Sequence, residues 1–325
     1  MTPDDLCPLI HEAHAALKGQ VVQTPLLTLP TLNDLVGGTV YLKAENCQHT
    51  GSFKYRGAVN HMRSLAQSGQ TPPIIAYSSG NHAQGVAKAA RDAGLSVQIV
   101  MPADAPKVKI ERTKALGAEV ILYDRVHESR EEVAANLPEA NRAYLIPPYS
   151  HPLTIAGQAS VGMEVIEQLG GSRLDQALIC CGGGGLATGT TAALRTAYPD
   201  LQGYTVEPEG FDDFKRSLET GKLQENATRS GSICDAIITP SPGPLTFPLA
   251  QAMDMQGVTV RDEDALAAVA WAASNLKLIL EPGGAVALAA VLGQKIDLKG
   301  KSTLAVLSGG NIDAALLSQA MEQPG

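Results

Sequence analysis

Between residues 73 and 147, short β-branched runs alternate with segments of helical spacing, and nothing else in the chain narrows its fold as much. IIAY, VQIV, VILY and AYLI read as four strands. HAQGVAKAARDAG, PKVKIERTKALGA and HESREEVAANL lie between them with helical periodicity, the first two carrying a glycine near the end. Continuous apolar strands are covered on both faces, and strands joined through helices pair in parallel. The second half repeats the logic, with ALICC, GYTVEP and STLAVLS as strands interleaved with LATGTTAALRTAY and EDALAAVAWAASNL. The expectation is an α/β fold built on open parallel sheets, with no fixed-period repeat and no low-complexity linker.

The 325 residues suit about two compact domains or one large α/β unit. With 44% hydrophobic and 18% charged residues the chain is globular, neither disordered nor membrane-embedded. A net charge of -8 argues against a nucleic-acid partner, which would call for a basic face. No apolar run approaches the roughly 18 residues of a membrane span. The amino terminus, MTPDDLCPL, lacks a basic-then-apolar signal region. The five cysteines show no CxxC spacing, which suits reduced core residues. These features point to a cytoplasmic location.

Glycine-rich turns follow strands, at the carboxyl edge where open α/β sheets hold ligands. In ICCGGGGLATGT, Gly182, Gly183, Gly184 and Gly185 lead into a helix, and exposed backbone amides plus the helix dipole suit a phosphate. A competing reading stands beside it. Gly182, Gly184 and Ala187 also satisfy GxGxxA, with Glu207 about 20 residues on, which would make an NAD-dependent oxidoreductase. The discriminator is a partner for an aldehyde. TGSFKYRGA, residues 50–58, supplies Lys54, whose amine can form a Schiff base with the carbonyl of pyridoxal 5'-phosphate. SSGNHAQG, residues 78–85, and LSGGN, residues 307–311, each follow a strand with hydroxyl, amide and backbone groups; each alone also reads as a capped turn.

Taken together, AENCQHTGSFKYRGA, SSGNHAQG, AGQASVGMEV, GGGGLATG, VEPEGFDD, EPGGAVALAA and LSGGNID resemble, in order and over nearly the whole chain, the serine/threonine dehydratase and serine racemase group of fold type II pyridoxal-phosphate-dependent enzymes. The resemblance implies a tryptophan synthase β-like fold of two open parallel-sheet α/β domains with the cofactor in the cleft between them. It implies a large domain of residues 1–63 and 148–325, and a small mobile domain, 64–147, inserted in it. Lys54 would hold the cofactor and act as base, Phe53 would pack on the ring, and Asn81 would sit beside the 3-oxygen. Gly182 to Gly185 and Leu186 would cradle the phosphate. Ser308 would bond the pyridine nitrogen, and a neutral hydroxyl there suits prompt loss of a β-hydroxyl. Ser78, Ser79, Asn81 and His82 would receive the substrate. The implied reaction is elimination of water from L-serine, L-threonine or L-threo-3-hydroxyaspartate, giving a 2-oxo acid and ammonia. Ser79 matches the second acid/base of racemases, so serine or aspartate racemisation stays open.

The resemblance further implies a magnesium or calcium site at Glu207, Asp213 and the carbonyl of Phe211; by spacing alone such a cluster also reads as a solvated acidic loop. Arg130, in HESRE, matches an arginine near the distal end of acidic substrates, or else is a solvated helix arginine. Ser241, in the proline-rich TPSPGPLTFP, is a substrate-site candidate. A homodimer is expected, as in relatives.

Overall fold

The computed structural model describes residues 1–78, 80–105, 107–124 and 126–322. The described residues form two open sheets. The larger takes β1 (Leu26–Leu27) and β2 (Thr39–Ala44) from the first part of the chain and β7 (Gln176–Cys180), β8 (Gln202–Pro208), β9 (Gln256–Val260) and β10 (Ser302–Leu307) from the last. Its order is β1-β2-β10-β7-β8-β9, with only β1 antiparallel. The smaller sheet holds β3 (Ile74–Tyr77), β4 (Val97–Pro102), β5 (Glu119–Tyr123) and β6 (Tyr144–Leu145) in the order β5-β4-β3-β6, all parallel.

All seven strands expected from apolar runs are present; β1, β2 and β9 were not expected. Two of these hide their signal behind polar letters. β2 is TVYLKA, whose Lys43 is fully buried and ion-paired, and β9 is QGVTV, opening on Gln-Gly. Periodicity counts such residues as surface, whereas pairing in the sheet overrides propensity.

Helices form where apolar spacing and caps agree. In Asn81–Asp92, residues Ala83, Val86, Ala87 and Ala90 bury one stripe against the smaller sheet. Pro152–Leu169 starts on a proline, with His151 accepting from the Leu153 amide, and ends on Gly170 in the left-handed conformation. Pro282–Leu292, PGGAVALAAVL, is apolar on all sides and almost wholly buried beneath β7 and β10. The helix Lys54–Gln67 sends Ala58, Val59, Met62 and Leu65 into the core of the smaller sheet. No helix among the described residues is long and apolar enough to cross a membrane.

Beneath this helix lies a buried ionic network. The Arg56 guanidinium grips Glu45 at 2.7 and 2.8 Å and Glu164 at 2.7 and 2.9 Å. Lys43 Nζ bonds Glu164 at 2.6 Å and the Thr24 carbonyl at 2.8 Å. Two cations face two carboxylates, so the cluster is neutral and its charges are paired away from water.

Candidate active site

Turns at the carboxyl ends of β3, β7, β8 and β10 carry Ser78, Asn81, the glycine loop, Phe211, Asp213 and Ser308, because parallel strands deliver their following turns to one edge, while Lys54 follows β2 and Arg130 opens the helix after β5. The lysine segment is shaped first. Thr50 and Gly51 both have positive φ, at 60° and 73°, and reverse the chain; Ser52 then runs extended and bridges Gly309 antiparallel, and the helix begins at Lys54. Phe53 N donates to Ser308 O at 3.2 Å and Gly310 N to Gly51 O at 2.9 Å, so the two segments are stitched together by backbone. Phe53 is buried, with Lys54 Nζ 5.1 Å from its ring centroid.

Lys54 Nζ donates to the Pro148 carbonyl at 2.8 Å. Burial pushes its ammonium down to about 8. Cys180, at the end of β7, would oppose that shift only as a thiolate; burial pushes its thiol up to about 12, so it is neutral where the lysine titrates. The result is an amine with a substantial unprotonated fraction near neutral pH. Since the unprotonated amine is the nucleophile, capture of pyridoxal phosphate by the cofactor-free protein should accelerate with pH and level off above about pH 8. Stopped-flow absorbance measures this, and a rate still climbing through pH 10 would contradict the environment described.

The glycine loop leaves β7 and caps the helix Gly185–Arg195, with Gly184 left-handed at φ 90°. A Cβ on Gly183 would fall 2.3 Å from the Tyr149 ring, so no side chain fits there. Thr246 Oγ1 and Gly243 N both bond Gly183 O, at 2.6 and 3.2 Å, which walls the loop on its far side. Leu186 is buried behind it. Amides at an 11-residue helix N-terminus suit a phosphate. Ser308 is buried at the end of β10, next to the Cys180 thiol.

Ser78 is half-buried and its Oγ accepts from Gly80 N at 3.2 Å; Ser79 lies outside the described residues. Asn81 opens the helix Asn81–Asp92 and is buried. His82 is buried, bonds Ile146 O through Nε2 at 2.9 Å, and is pushed down to about 3 by burial, so it is a neutral ring with its Nε2 proton on that carbonyl. Arg130 stacks its guanidinium 4.8 Å over Tyr77 and pairs with Glu131 at 2.8 Å, and its charge reaches His82 and Tyr149 of the cleft. Ser241 is half-buried on the loop running to Gly243, at the rim of the glycine loop.

Glu207 is fully buried and accepts from the amides of Phe214 and Lys215 at 2.9 and 2.8 Å. These two bonds tie it to the start of the helix Asp213–Thr220. Burial raises it well above the usual carboxylate range, with Asp213 adding to the shift, and burial raises Asp213 to about 7. Asp213 takes the Asn226 amide on one oxygen at 2.6 Å; its other buried oxygen has no partner among the described residues. Two crowded carboxylates and an unmatched oxygen fit a hard cation. No group of three or more His, Cys, Asp or Glu among the described residues has metal-ligating geometry, so such an ion would depend on this pair and on carbonyls.

Sequence reasoning assigned no role to Pro148, Tyr149 or Glu281. Glu281 is buried and bonds Asn81 at 2.5 Å. One signal was available for it, a single acid directly before an otherwise apolar, proline-initiated helix.

Residues 17–309 match the model of a family described as pyridoxal-phosphate dependent enzyme. The chain belongs to that family. An L-threo-3-hydroxyaspartate ammonia-lyase from Pseudomonas sp is 38% identical over 302 residues, covering 93% of this chain and 94% of the relative. A serine racemase from Schizosaccharomyces pombe is 36% identical, covering 94% and 93%. The structure of maize serine racemase superposes with a TM-score of 0.89 at 33% identity, covering 97% of this chain and 96% of that one. The fold is therefore fold type II, and the oxidoreductase reading of the glycine loop falls away.

Proposed function

We propose that the protein eliminates water from a β-hydroxy amino acid, releasing a 2-oxo acid and ammonia. The observation that carries this is the buried Lys54 amine, lowered to about 8 and held by a carbonyl at the edge of a glycine loop suited to phosphate. Lys54, the loop of residues 182–185, Asn81, Ser308 and Phe53 are the residues that would hold pyridoxal phosphate, which when bound would supply an electron sink for the substrate's α-carbon. Lys54, released when the substrate amine takes its place on the cofactor, would remove the α-proton at its freed Nζ and is well poised for it, since a base with a pKa near the working pH combines availability with strength. Ser308, a neutral hydroxyl, would donate to the ring nitrogen without protonating it fully, which suits prompt loss of the β-hydroxyl. Ser78 and the amides opening the helix Asn81–Asp92 receive the substrate carboxylate; neutral His82 shapes the loop through Ile146 and adds no charge.

Among L-serine, L-threonine and L-threo-3-hydroxyaspartate, the last is the substrate favoured here. Arg130, stacked on Tyr77 with its charge felt at His82 and Tyr149, is the cation that a second carboxylate needs. Its replacement by leucine should cut kcat/KM for the dicarboxylic substrate by about 10- to 100-fold and leave L-serine within about threefold. An equal loss for both substrates would reject Arg130 as the selector.

Racemisation of serine or aspartate is the second reading. Ser79 and the racemases among the relatives support it. Proton NMR in heavy water with chiral analysis separates the two. Oxo acid release establishes elimination; loss of the α-proton signal with D-enantiomer and little oxo acid establishes racemisation. In this reading residues 64–147 form an inserted domain that closes over substrate. Magnesium or calcium sits at Glu207, Asp213 and the Phe211 carbonyl, and the protein works as a cytoplasmic homodimer.

A further inference from the structure

Asn81 is held by an arrangement that leaves no freedom to its amide. Asn311 Nδ2 donates to the Thr50 carbonyl at 2.8 Å, and a carbonyl only accepts, so the nitrogen end of Asn311 is identified. The same nitrogen bonds Asn81 at 2.7 Å, which makes that atom of Asn81 its oxygen. The opposite end of Asn81 is therefore its nitrogen, and it donates to Glu281 Oε1 at 2.5 Å. A side-chain amide nitrogen carries two N–H groups. One is spent on Glu281, and one remains.

Glu281 is built into this place. It precedes the helix Pro282–Leu292, and its own N–H donates to Gly309 O at 3.1 Å. Gly309 makes room for it: a Cβ there would lie 2.1 Å from Glu281 Oε1. Ser308, the residue before, is the pyridine-nitrogen partner in the reading above, so Glu281 packs against the cofactor strand without reaching the chemistry itself.

We propose that Glu281 is a positioning residue for the cofactor, fixing Asn81 so that its one remaining N–H is presented to the 3-oxygen of the pyridine ring. The proposal rests on the reading of Asn81 as the residue beside that oxygen. The bond from Asn311 to the amide oxygen polarises the amide and strengthens the N–H it presents. Without the Glu281 carboxyl, the Asn81 nitrogen loses its acceptor, the amide rotates, and the 3-oxygen loses its donor.

The test uses the visible absorption band of the bound cofactor and its dissociation constant, in wild type, Glu281→Leu and Glu281→Gln. Leucine removes the acceptor: the band should move and the cofactor should bind about tenfold or more weakly. Glutamine keeps an acceptor oxygen, and should restore the wild-type band with a dissociation constant within about threefold. An unmoved band in the leucine variant overturns the assignment, as does equal displacement in both variants. Should the leucine variant melt too low to study, Glu281→Asp draws the acceptor back by one methylene; the same band displacement supports the proposal and an unmoved band rejects it. Borohydride reduction of wild type checks the underlying reading separately. If it fixes no cofactor on Lys54, the cofactor reading fails; if it fixes cofactor and the bands do not respond, only the role of Glu281 fails.

Discussion

Lys54→Ala protein should release 2-oxo acid from none of the three candidate substrates, with kcat reduced on the order of 10^4-fold or more. The loss should be chemical and not conformational. The amine makes one hydrogen bond, to Pro148 O, and the Gln158 amide already stands 3.4 Å from the same carbonyl, so folding forfeits little when the amine goes. Thermal melting of the cofactor-free variant should stay within a few degrees of wild type, and addition of pyridoxal phosphate should leave no borohydride-fixed label. Retained elimination above about 1% of wild type would remove Lys54 from the mechanism and the assignment with it.

Two residues along the same helix, Arg56→Met should act in the opposite way, unfolding the protein without touching substrate. It leaves Glu45 and Glu164 buried with only Lys43 between them, Glu45 being fully enclosed and Glu164 nearly so. Breaking a buried ion cluster from one side costs about 3–5 kcal/mol, a large fraction of a typical stability, and shifts Tm by roughly 10 °C in a protein of this size. Urea titration reads the change directly. A variant within 1 kcal/mol of wild type would mean that water enters the cluster and relieves the charges. The network anchors the start of the helix that carries Lys54, so the melting of Arg56→Met and the inactivity of Lys54→Ala separate holding the base from being the base.

Local chemistry made much of the site legible. Lys54, the loop of residues 182–185, Asn81 and Ser308 each stand in a run whose glycines, hydroxyls and position after a strand announce a turn at a sheet edge. β2 escaped because Lys43 reads as a surface residue until its partners Glu164 and Thr24, far away in sequence, are known. Glu281 escaped for a similar reason: before an apolar helix a lone acid reads as a cap, and only the approach of Asn81, 200 positions away, brings it to the candidate site. By spacing alone the acidic stretch at the end of β8 reads as a solvated loop, and only the family resemblance singles out Glu207 and Asp213. The burial of this pair, and the use of Glu207 to hold two helix amides, were not legible.

The sequence by itself determined the class of fold, the parallel pairing of its strands and membership of the pyridoxal-phosphate family, because each follows from short-range periodicity or from motifs short enough to read whole. Only the tertiary structure decided which charges are buried and matched, which way the Asn81 amide faces, that His82 is neutral, and that the Lys54 amine is poised near neutral pH. Those properties depend on what is excluded from around a group, above all water, and exclusion is the work of residues brought together from both ends of the chain.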